Sequence, residues 1–245
     1  MPKGILLAGG KGTRLQPATF IQNKHLLNII NEPMVLFPLR TLKTLGIQDI
    51  LLVAGGNHVG GFADFLGDGG KYDVNLTYKV QTEAGGIAQA LGLAKDFVHN
   101  DSMIVILADN IYDNNALTHA IARHEKDVLK QWKATLFLKK VSDPERFGVA
   151  EIKNKKVIGI EEKPKKPKSS LAVTGLYFYP NDVFSIIPTL KPSARGELEI
   201  SDINNHYINE DRCSAIEFDG HWSDAGTPKS LKETIDWAYK QALDK

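Results

Sequence analysis

Residues 4–15 read Gly4-Ile5-Leu6-Leu7-Ala8-Gly9-Gly10-Lys11-Gly12-Thr13-Arg14-Leu15. The apolar run 5–8 predicts a strand, and the glycine-rich loop after it ends in Thr13 and Arg14. Because glycine has no Cβ and reaches positive φ, successive backbone N–H groups in such a loop can turn toward an anion, while Lys11 and Arg14 add positive charge. A polyphosphate would suit the loop. An ordinary strand-to-helix turn explains it equally well at this point.

Two well-known phosphate loops do not match this stretch. A P-loop requires Gly-x4-Gly-Lys-Ser/Thr, but Lys11 comes too early and no hydroxyl follows at Arg14. A dinucleotide fingerprint requires a third glycine for close helix packing, and Leu15 stands in its place. The stretch is therefore a third kind of loop.

Composition excludes several classes of protein. A chain of 245 residues is an ordinary size for one α/β domain, and its 30 Lys and Arg nearly balance its 29 Asp and Glu, which does not recommend a nucleic-acid partner. The lone Cys213 provides neither a disulfide framework nor a structural zinc site. With no signal-peptide pattern and no apolar run approaching ~18 residues, we expect a cytoplasmic protein without a membrane partner.

Strand and helix patterns alternate along the first half of the chain. Apolar or alternating runs predict strands at 50–54, 75–80 and 103–107, and helical spacing predicts helices at 33–45, with a kink or restart at Pro38, and at 87–97. Residues 117, 121, 124 and 128 recur at helical spacing, and His124 is interpreted as a polar helix position. This alternation predicts a mostly parallel central sheet with helices on both faces, a Rossmann-like α/β fold in a single domain.

The second half adds further strands and helices. Residues 148–152 and 157–161 predict an antiparallel β-hairpin turning at Asn154-Lys155. We also expect strands at 134–140, 172–179 and 213–218, a short helix at 182–187, and a helix opening in the acidic segment 195–203. Thr227-Pro228 predicts the start of a final helix.

Candidate functional residues fall where predicted strands end. Ligands of parallel sheets bind beyond the carboxyl ends of the strands, so the loops 9–14 and 81–86 and Asp109 are brought to one edge. A single Asp after a strand is more often a turn or cap than a ligand, and the position of Asp109 at the same edge as the glycine loop only narrows that difference. Asp224 is a second isolated acid that could merely orient its turn. Glu162-Lys163 is a better candidate than the solvated basic run that follows it.

Motifs spread over residues 3–231 identify a resemblance. They lie at residues 7–17, 23–27, 33–34, 85–90, 107–111, 143–149, 161–164, 173–177, 195–200 and 222–227. In these motifs the chain resembles the sugar-phosphate nucleotidyltransferases, and within that family the glucose-1-phosphate thymidylyltransferases. Members couple a nucleoside triphosphate to a sugar 1-phosphate and release pyrophosphate. The resemblance implies one domain over residues 1–245, with a nucleotide part at about 1–115 and a sugar-phosphate part at about 135–228.

The resemblance also implies residue roles. Nucleotide binding is implied for Leu7, Ala8, Gly9, Gly10, Gly12, Thr13, Arg14, Lys24, Gln81, Gly86 and Asp109. Of these, Gln81 would meet the pyrimidine edge and Gly86 the base region. Sugar-phosphate binding is implied for Asn110, Gly148, Glu162, Lys163 and Val173. The implied catalytic residues are Arg14, Lys24 and Lys163, and the implied ligands of a catalytic Mg²⁺ are Asp109 and Asp224, whose carboxylates suit a hard cation.

Several departures from the family pattern bear on geometry. Ala108 stands where the family usually has Gly, which would add a Cβ beside the nucleotide, and Asn28 replaces a common Pro. Phe147 replaces a Tyr, and Ser223 and Ala225 are small variants around Asp224. Longer members carry C-terminal helices that contribute to an allosteric product site and to subunit packing. From the length of this chain we expect weaker or absent feedback.

Three alternatives stay open at this stage. The resemblance implies dTTP and glucose 1-phosphate as substrates, for dTDP-glucose and dTDP-deoxysugar synthesis of the rhamnose type. A UTP-using uridylyltransferase would read the same pyrimidine edge, and a catalytically silent nucleotide-sugar sensor is an alternative of another class. The sequence does not determine the sugar. Family members assemble, which leaves a homo-oligomer open, but the sequence identifies no interface.

Overall fold

The computed structural model describes residues 1–10, 12–124, 132–154 and 156–243, with only the backbone of Asn57. Its strands are β1 Lys3–Ala8, β2 Asn28–Ile29, β3 Glu32–Pro33, β4 Asp49–Gly55, β5 Asn75–Gln81, β6 Met103–Leu107, β7 Ile111–Tyr112, β8 Ala134–Lys140, β9 Gly148–Lys153, β10 Lys156–Glu162, β11 Leu171–Tyr179, β12 Cys213–Glu217 and β13 Trp222–Ser223. Its helices are α1 Leu36–Thr44, α2 Val59–Leu66, α3 Ile87–Gly92, α4 Lys95–Val98, α5 Asn114–Arg123, α6 Val183–Ile186, α7 Ile200–Asn209 and α8 Pro228–Leu243.

A central sheet has the strand order β10-β9-β11-β6-β1-β4-β5, and β8 pairs with β11 and with β12. Strand β1 runs parallel to both β4 and β6, with Leu7 opposite Val53 and Leu107. This register brings the carboxyl ends of the three strands level. The loops that follow them therefore meet at one edge, as the alternating pattern predicts.

Strand β11 joins the parallel part to the remaining strands. It runs antiparallel to β6 and β8 and contacts β9, which forms the predicted hairpin with β10. The predicted α/β architecture with an antiparallel addition is confirmed.

The core lies on both faces of the sheet. Ile5 and Leu7 of β1 pack into one apolar cluster with Leu91 of α3, whereas Leu6 and Ala8 pack into another with Leu39 of α1. Successive side chains of a strand point to opposite faces. A strand covered on both sides must therefore be apolar at every position, which explains the continuous run 5–8.

Several predicted helices differ in detail. Helix α1 begins at Leu36, so Pro38 is its third residue. The N–H groups of a helix's first turn have no acceptor within the helix, so the N–H that proline lacks costs no helical hydrogen bond there. The helix is continuous through Pro38, so the predicted kink or restart there is wrong. The predicted helix 87–97 is divided into α3 and α4 by a turn in which the backbone bonds reach back three residues, from Leu93 to Ala90 and from Ala94 to Leu91. His124 is the residue that caps α5 rather than a helix position.

The helix predicted from Arg195 starts five residues later. Gly196 has φ +75°, and the backbone of Leu198 bonds to the neighbouring loop, donating to the Gly85 carbonyl (2.8 Å) and accepting from Ala88 (3.2 Å). These bonds replace helical ones, so α7 begins only at Ile200. The predictions made for Lys11, Val128 and Lys155 lie outside the described residues.

Candidate active site

Two adjoining cavities open at the sheet edge where β1, β4 and β6 end. The first has a volume of about 290 Å³ and is lined by Leu7, Gly9, Gly10, Arg14, Lys24, His25, Gln81, Ala84, Gly86, Ile87, Ala90, Leu107, Asp109 and Glu197. The second has a volume of about 220 Å³, and its lining includes Asn110, Arg146, Phe147, Gly148, Glu162, Lys163, Val173, Gly175, Tyr177, Arg195, Trp222 and Asp224. Arg14, Ile87, Leu107, Asp109 and Glu197 line both. The cavities therefore form one crevice with a shared middle.

The glycine-rich loop forms the wall of the first cavity. Gly10 has φ +95° and Gly12 φ +62°, conformations that other residues rarely adopt. The Thr19 hydroxyl donates to the Gly12 carbonyl (2.8 Å) and holds the far end of the loop. Leu15 is buried, while Arg14 is exposed and lines both cavities. The loop thus projects one guanidinium into the middle of the crevice.

Lys24 reaches the same cavity from a segment tied to the end of β1. The Asn23 amide donates to the Ala8 carbonyl (3.3 Å), and its Oδ1 accepts from the backbone N–H (2.9 Å) and Nδ1–H (2.6 Å) of His25. This anchoring places the Lys24 ammonium in an ion pair with Asp109, at the end of β6. A cation is therefore held against the first of the two predicted metal acids.

The charge states of Asp109 and His25 follow from their surroundings. Burial disfavours the ionised form of Asp109, but the Lys24 ammonium outweighs it and lowers the pKa of the carboxyl to about 2. His25, 1 % exposed behind the pair, has its pKa lowered to about 3 by burial and by the positive charge of Lys24. His25 is therefore neutral near pH 7. Nothing in the sequence pattern assigned it to the cavity.

The Gln81 end of the first cavity is built from the loop 81–86 and from Leu198. Gly86 has φ +97°, and a Cβ there would lie 2.5 Å from the Leu198 carbonyl oxygen. Gln81 is 6 % exposed and donates from Nε2 to the Gly86 carbonyl (3.2 Å) and to Oε1 of Gln89 (2.6 Å). This end of the cavity therefore depends on contacts with the segment 195–199.

Asn110 joins the elements around the second cavity. Its Oδ1 accepts from the Gly175 N–H (2.9 Å) and the Trp222 indole N–H (2.7 Å), and its Nδ2 donates to Asp109 (2.9 Å). A Cβ at Gly175 would lie 2.7 Å from the Asn110 amide. Asn110 lines the second cavity. Its bonds occupy the side-chain oxygen and one of the two N–H groups, so the amide links β6, β11 and β13.

Glu162 and Lys163 lie at the end of β10, where the sequence predicts a site. The Ser201 hydroxyl donates to Glu162 Oε2 (2.6 Å). Lys163 has φ +46°, which costs energy for a residue with a Cβ, and its N–H donates to the Phe147 carbonyl (2.9 Å). Its ammonium lies 3.6 Å from Glu162 Oε1, and the side chain is 46 % exposed. Lys163 therefore offers a partly free cation to the second cavity.

Asp224 approaches Asp109 from the loop before α8. Burial first, and then the charge of Asp109, raises the pKa of the Asp224 carboxyl. A Cβ at Gly226 would lie 3.5 Å from Asp109 Oδ2 and 3.4 Å from the Arg14 guanidinium. Asp109, Asp224 and Arg14 all line the second cavity.

Arg146 is the partner of Asp224. Its guanidinium donates to both carboxylate oxygens (3.0 and 2.9 Å) and to Asp143 (2.7 Å). The guanidinium also lies 4.9 Å from the Phe147 ring centroid, and Phe147 packs against Trp222. The motif 143–149 contains Arg146, but no role was predicted for it, nor for Arg195 or Trp222. Arg146 bonds to Asp224 and Trp222 to Asn110 across 78 and 112 residues, which leaves no local pattern, whereas Arg195 pairs with Glu199 four residues further along the chain.

Asp109 and Asp224 are the residues that would hold a magnesium ion, although each now pairs with a cation, Lys24 or Arg146. Along the described ranges, no group of three or more His, Cys, Asp or Glu side chains could hold a metal by itself. Mg²⁺ in phosphate-transfer sites is held by one or two carboxylates together with substrate phosphates, and it keeps several waters. Asp109 and Asp224, which both line the second cavity, would supply the protein part of such a set.

Most predicted site residues line the crevice. Gly148, Glu162, Lys163 and Val173 line the second cavity, but Ala8, Gly12 and Thr13 line neither. Ala8 is fully buried in the core, and Gly12 supports the loop from behind. The Cβ of Ala108, expected beside the nucleotide, packs instead in the core cluster with Leu6 and Ala8. This expectation is wrong because the alternation of β6 turns residue 108 away from the cavity.

The described ranges contain no helix with both the length and the apolarity needed to cross a membrane.

Comparisons with known proteins find similar chains. A Neisseria meningitidis serogroup A glucose-1-phosphate thymidylyltransferase is 43% identical over 235 residues, covering 94% of this chain and 80% of that protein. The Mycobacterium tuberculosis enzyme of the same name is 39% identical over 239 residues, covering 96% and 81%. A Bacillus anthracis chain described as a glucose-1-phosphate thymidylyltransferase, solved in complex with a sucrose, is 50% identical with TM-score 0.90, covering 97% and 95%.

A more distant structure shows the same fold. A UDP-glucose pyrophosphorylase complexed with UDP-glucose superposes with TM-score 0.83 at 22% identity, covering 98% of this chain and all of that one. The family model of the nucleotidyl transferases matches residues 3–240. The match spans both cavities and the strands that position them. The chain therefore belongs to the nucleotidyl transferase family, and it is a nucleotidyltransferase.

Proposed function

We propose that this chain transfers a thymidylyl group from dTTP to glucose 1-phosphate, giving dTDP-glucose and pyrophosphate. The main observation that supports this proposal is that the two cavities meet at Arg14 and Asp109. A reaction between two phosphorylated substrates requires such a junction. Relatives named glucose-1-phosphate thymidylyltransferase support the choice of substrates. The product would supply dTDP-deoxysugar synthesis, for example of the rhamnose type.

The first cavity suits the nucleotide. The loop 9–14 would wrap the triphosphate, with Arg14 and Lys24 on its phosphates, and the base would lie at the Gln81 end. Lys24 is already held against Asp109 by an ion pair, so its ammonium is positioned before a substrate arrives. Such preorganisation reduces the ordering that binding requires.

The second cavity suits the sugar 1-phosphate. Lys163 would hold its phosphate, and Gly148, Glu162, Val173 and the Asn110 amide would surround the sugar. Glu162 is oriented by the Ser201 hydroxyl, so it can accept from a sugar hydroxyl at a defined position.

The chemistry is an in-line displacement. A phosphate oxygen of glucose 1-phosphate forms a bond to the α-phosphorus of dTTP. The bond from that phosphorus to the oxygen that bridges the α- and β-phosphorus breaks, and pyrophosphate leaves. The attacking phosphate is already ionised near neutral pH, so the residues need not supply a general base. Mg²⁺ held by Asp109 and Asp224 would neutralise charge on the reacting phosphates. Arg14, Lys24 and Lys163 hold the two substrates in line, which is the larger part of catalysis in phosphoryl transfer.

A panel of nucleoside triphosphates tests this proposal. Each is incubated with glucose 1-phosphate and Mg²⁺, and pyrophosphate release is measured together with the sugar nucleotide formed. We expect the highest kcat/KM with dTTP. A higher kcat/KM with UTP would replace thymidylyl by uridylyl transfer, and binding of dTDP-glucose without any pyrophosphate release would indicate a sensor.

Asp109→Asn tests the role of the first acid. It removes the charge while preserving the size of the side chain, and we expect turnover to fall by roughly 100-fold or more, since a metal ligand matters at least as much as its supporting residues. The matched control is Asp96→Asn, whose carboxylate is 88% exposed. Circular dichroism and Tm establish that both variants fold. Near-normal turnover of folded Asp109→Asn at saturating Mg²⁺ would exclude the metal role.

A further inference from the structure

Gln89 lies next to the first cavity without lining it. It is the third residue of α3, half-buried, and its Oε1 accepts from Nε2 of Gln81 at 2.6 Å. No role is assigned to it by the site described above. Through this bond Gln89 contacts the Gln81 amide, which lines the first cavity.

The orientation of the Gln81 amide is determined by its neighbours. The Gly86 carbonyl can only accept a hydrogen bond, and it lies 3.2 Å from the Gln81 side-chain nitrogen, which must therefore be Nε2. Gln89 Oε1 takes the second N–H of the same nitrogen. With both N–H groups engaged, only Oε1 of Gln81 is left to meet a ligand.

That oxygen faces the glycine loop. A Cβ at Gly9 would lie 2.8 Å from Gln81 Oε1, and both Gly9 and Gln81 line the first cavity. Within the described ranges, no donor is bonded to this oxygen. The cavity therefore presents a hydrogen-bond acceptor at this point, and no donor from the same amide.

Gly85 makes the arrangement sterically feasible. A Cβ there would lie 2.7 Å from Cδ and 3.0 Å from Nε2 of Gln89. The Gln89 side chain therefore crosses the space that any other residue at position 85 would fill. Gly85, Gly86 and Gln89 together hold one amide in one orientation.

We propose that Gln89 is a positioning residue for base selection, which fixes Gln81 as a hydrogen-bond acceptor and so favours bases that present an N3–H donor. Thymine and uracil present that donor, whereas cytosine presents an unprotonated N3 at the same position. An acceptor facing an acceptor leaves both unpaired, and sites built on such pairing discriminate strongly. This inference rests on the proposed function, since it takes Gln81 to contact the base.

The test measures the ratio of kcat/KM for dTTP to kcat/KM for 5-methyl-dCTP, which a general loss of stability would not change. dTTP and 5-methyl-dCTP share the methyl group and the sugar and differ only at the N3 and C4 positions of the base. We expect Gln89→Met, which keeps the chain length but accepts no comparable hydrogen bond, to lower the dTTP to 5-methyl-dCTP ratio of kcat/KM by roughly 10- to 100-fold, the range for one base-edge interaction. Gln89→Glu retains an acceptor oxygen and should retain the ratio.

Two further arms keep the result interpretable. Gly85→Ala displaces the Gln89 side chain without altering it, and should lower the ratio in the same direction even if Gln89→Met folds poorly. Calorimetric binding of dTMP and 5-methyl-dCMP gives the ratio independently of turnover.

The outcomes separate the two claims. An unchanged ratio in folded Gln89→Met or Gly85→Ala, together with a lowered ratio in Gln81→Ala, overturns the role of Gln89 alone. An unchanged ratio in Gln81→Ala overturns base contact by Gln81, and with it this inference. Transfer activity of the unaltered chain tests the proposed function separately.

Discussion

Replacing Gly86 by alanine should disrupt the Gln81 end of the first cavity. Gly86 has φ +97° and ψ 175°, a region that residues with a Cβ almost never occupy. The added Cβ would also lie 2.5 Å from the Leu198 carbonyl oxygen and 2.8 Å from its nitrogen. The backbone of Leu198 would have to move away from the loop.

The expected cost has two parts. Backbone strain at such a position costs about 1–3 kcal/mol. Moving Leu198 weakens two backbone hydrogen bonds, to the Gly85 carbonyl (2.8 Å) and from Ala88 (3.2 Å), at about 1 kcal/mol each. We therefore expect Gly86→Ala to lower the free energy of unfolding by about 3–5 kcal/mol.

Gly67→Ala is the matched control. Gly67 caps α2 with φ +59° and ψ −139°, so alanine there is also strained, but no heavy atom lies within 4 Å of the added Cβ. Its cost should be the strain alone, about 1–3 kcal/mol. The difference of about 2 kcal/mol between the variants measures the contact with Leu198.

Urea denaturation followed by fluorescence or circular dichroism gives both free energies, and an unchanged m-value shows that the comparison is between like states. The KM for dTTP should rise in Gly86→Ala, because the Gly86 carbonyl also orients Gln81, and stay near the unaltered value in Gly67→Ala. If Gly86→Ala destabilises no more than Gly67→Ala, the packing of Leu198 against this loop contributes nothing.

Two further predictions concern His25 and Lys163. The pKa of His25 is about 3 in the fold against 6.5 for an exposed imidazole. The unfolded chain therefore binds the extra proton, and the stability that His25 contributes is fully present above pH 6.5 and lost as the pH falls toward 3. Between pH 7 and pH 4.5 this loss amounts to about 3 kcal/mol of the free energy of unfolding. Urea denaturation at the two pH values should show a smaller decrease in that free energy for His25→Gln than for the unaltered chain. An equal decrease would contradict burial of a neutral imidazole. Lys163→Met should raise the KM for glucose 1-phosphate by roughly 10-fold or more, as expected for the loss of a hydrogen bond to a charged group. The KM for dTTP should stay nearly unchanged, since Lys163 lines the second cavity and not the first. A parallel rise in both KM values would contradict the assignment of one substrate to each cavity.

Much of the fold could be predicted from local patterns. The apolar run 5–8, the run 50–54 and the run 103–107 became adjacent parallel strands, because a strand covered on both faces must be apolar throughout. Topology then placed Asp109 beside the loop 9–14, as expected for the carboxyl ends of parallel strands. One error fell where backbone bonds leave the local segment: the contacts of Leu198 with the loop 85–88 delay the start of α7.

The sequence by itself determined the alternation of strands and helices, the glycine loop, and the motifs that place the chain in its family. Tertiary structure alone decided how the site is held together: that Arg146 pairs with Asp224 across 78 residues, and that Asn110 bonds to Trp222 across 112. The physical reason is that hydrophobic periodicity reports the burial of a segment, which is a local property. A hydrogen-bond partner is chosen only when the folded chain brings distant side chains within about 3 Å of each other.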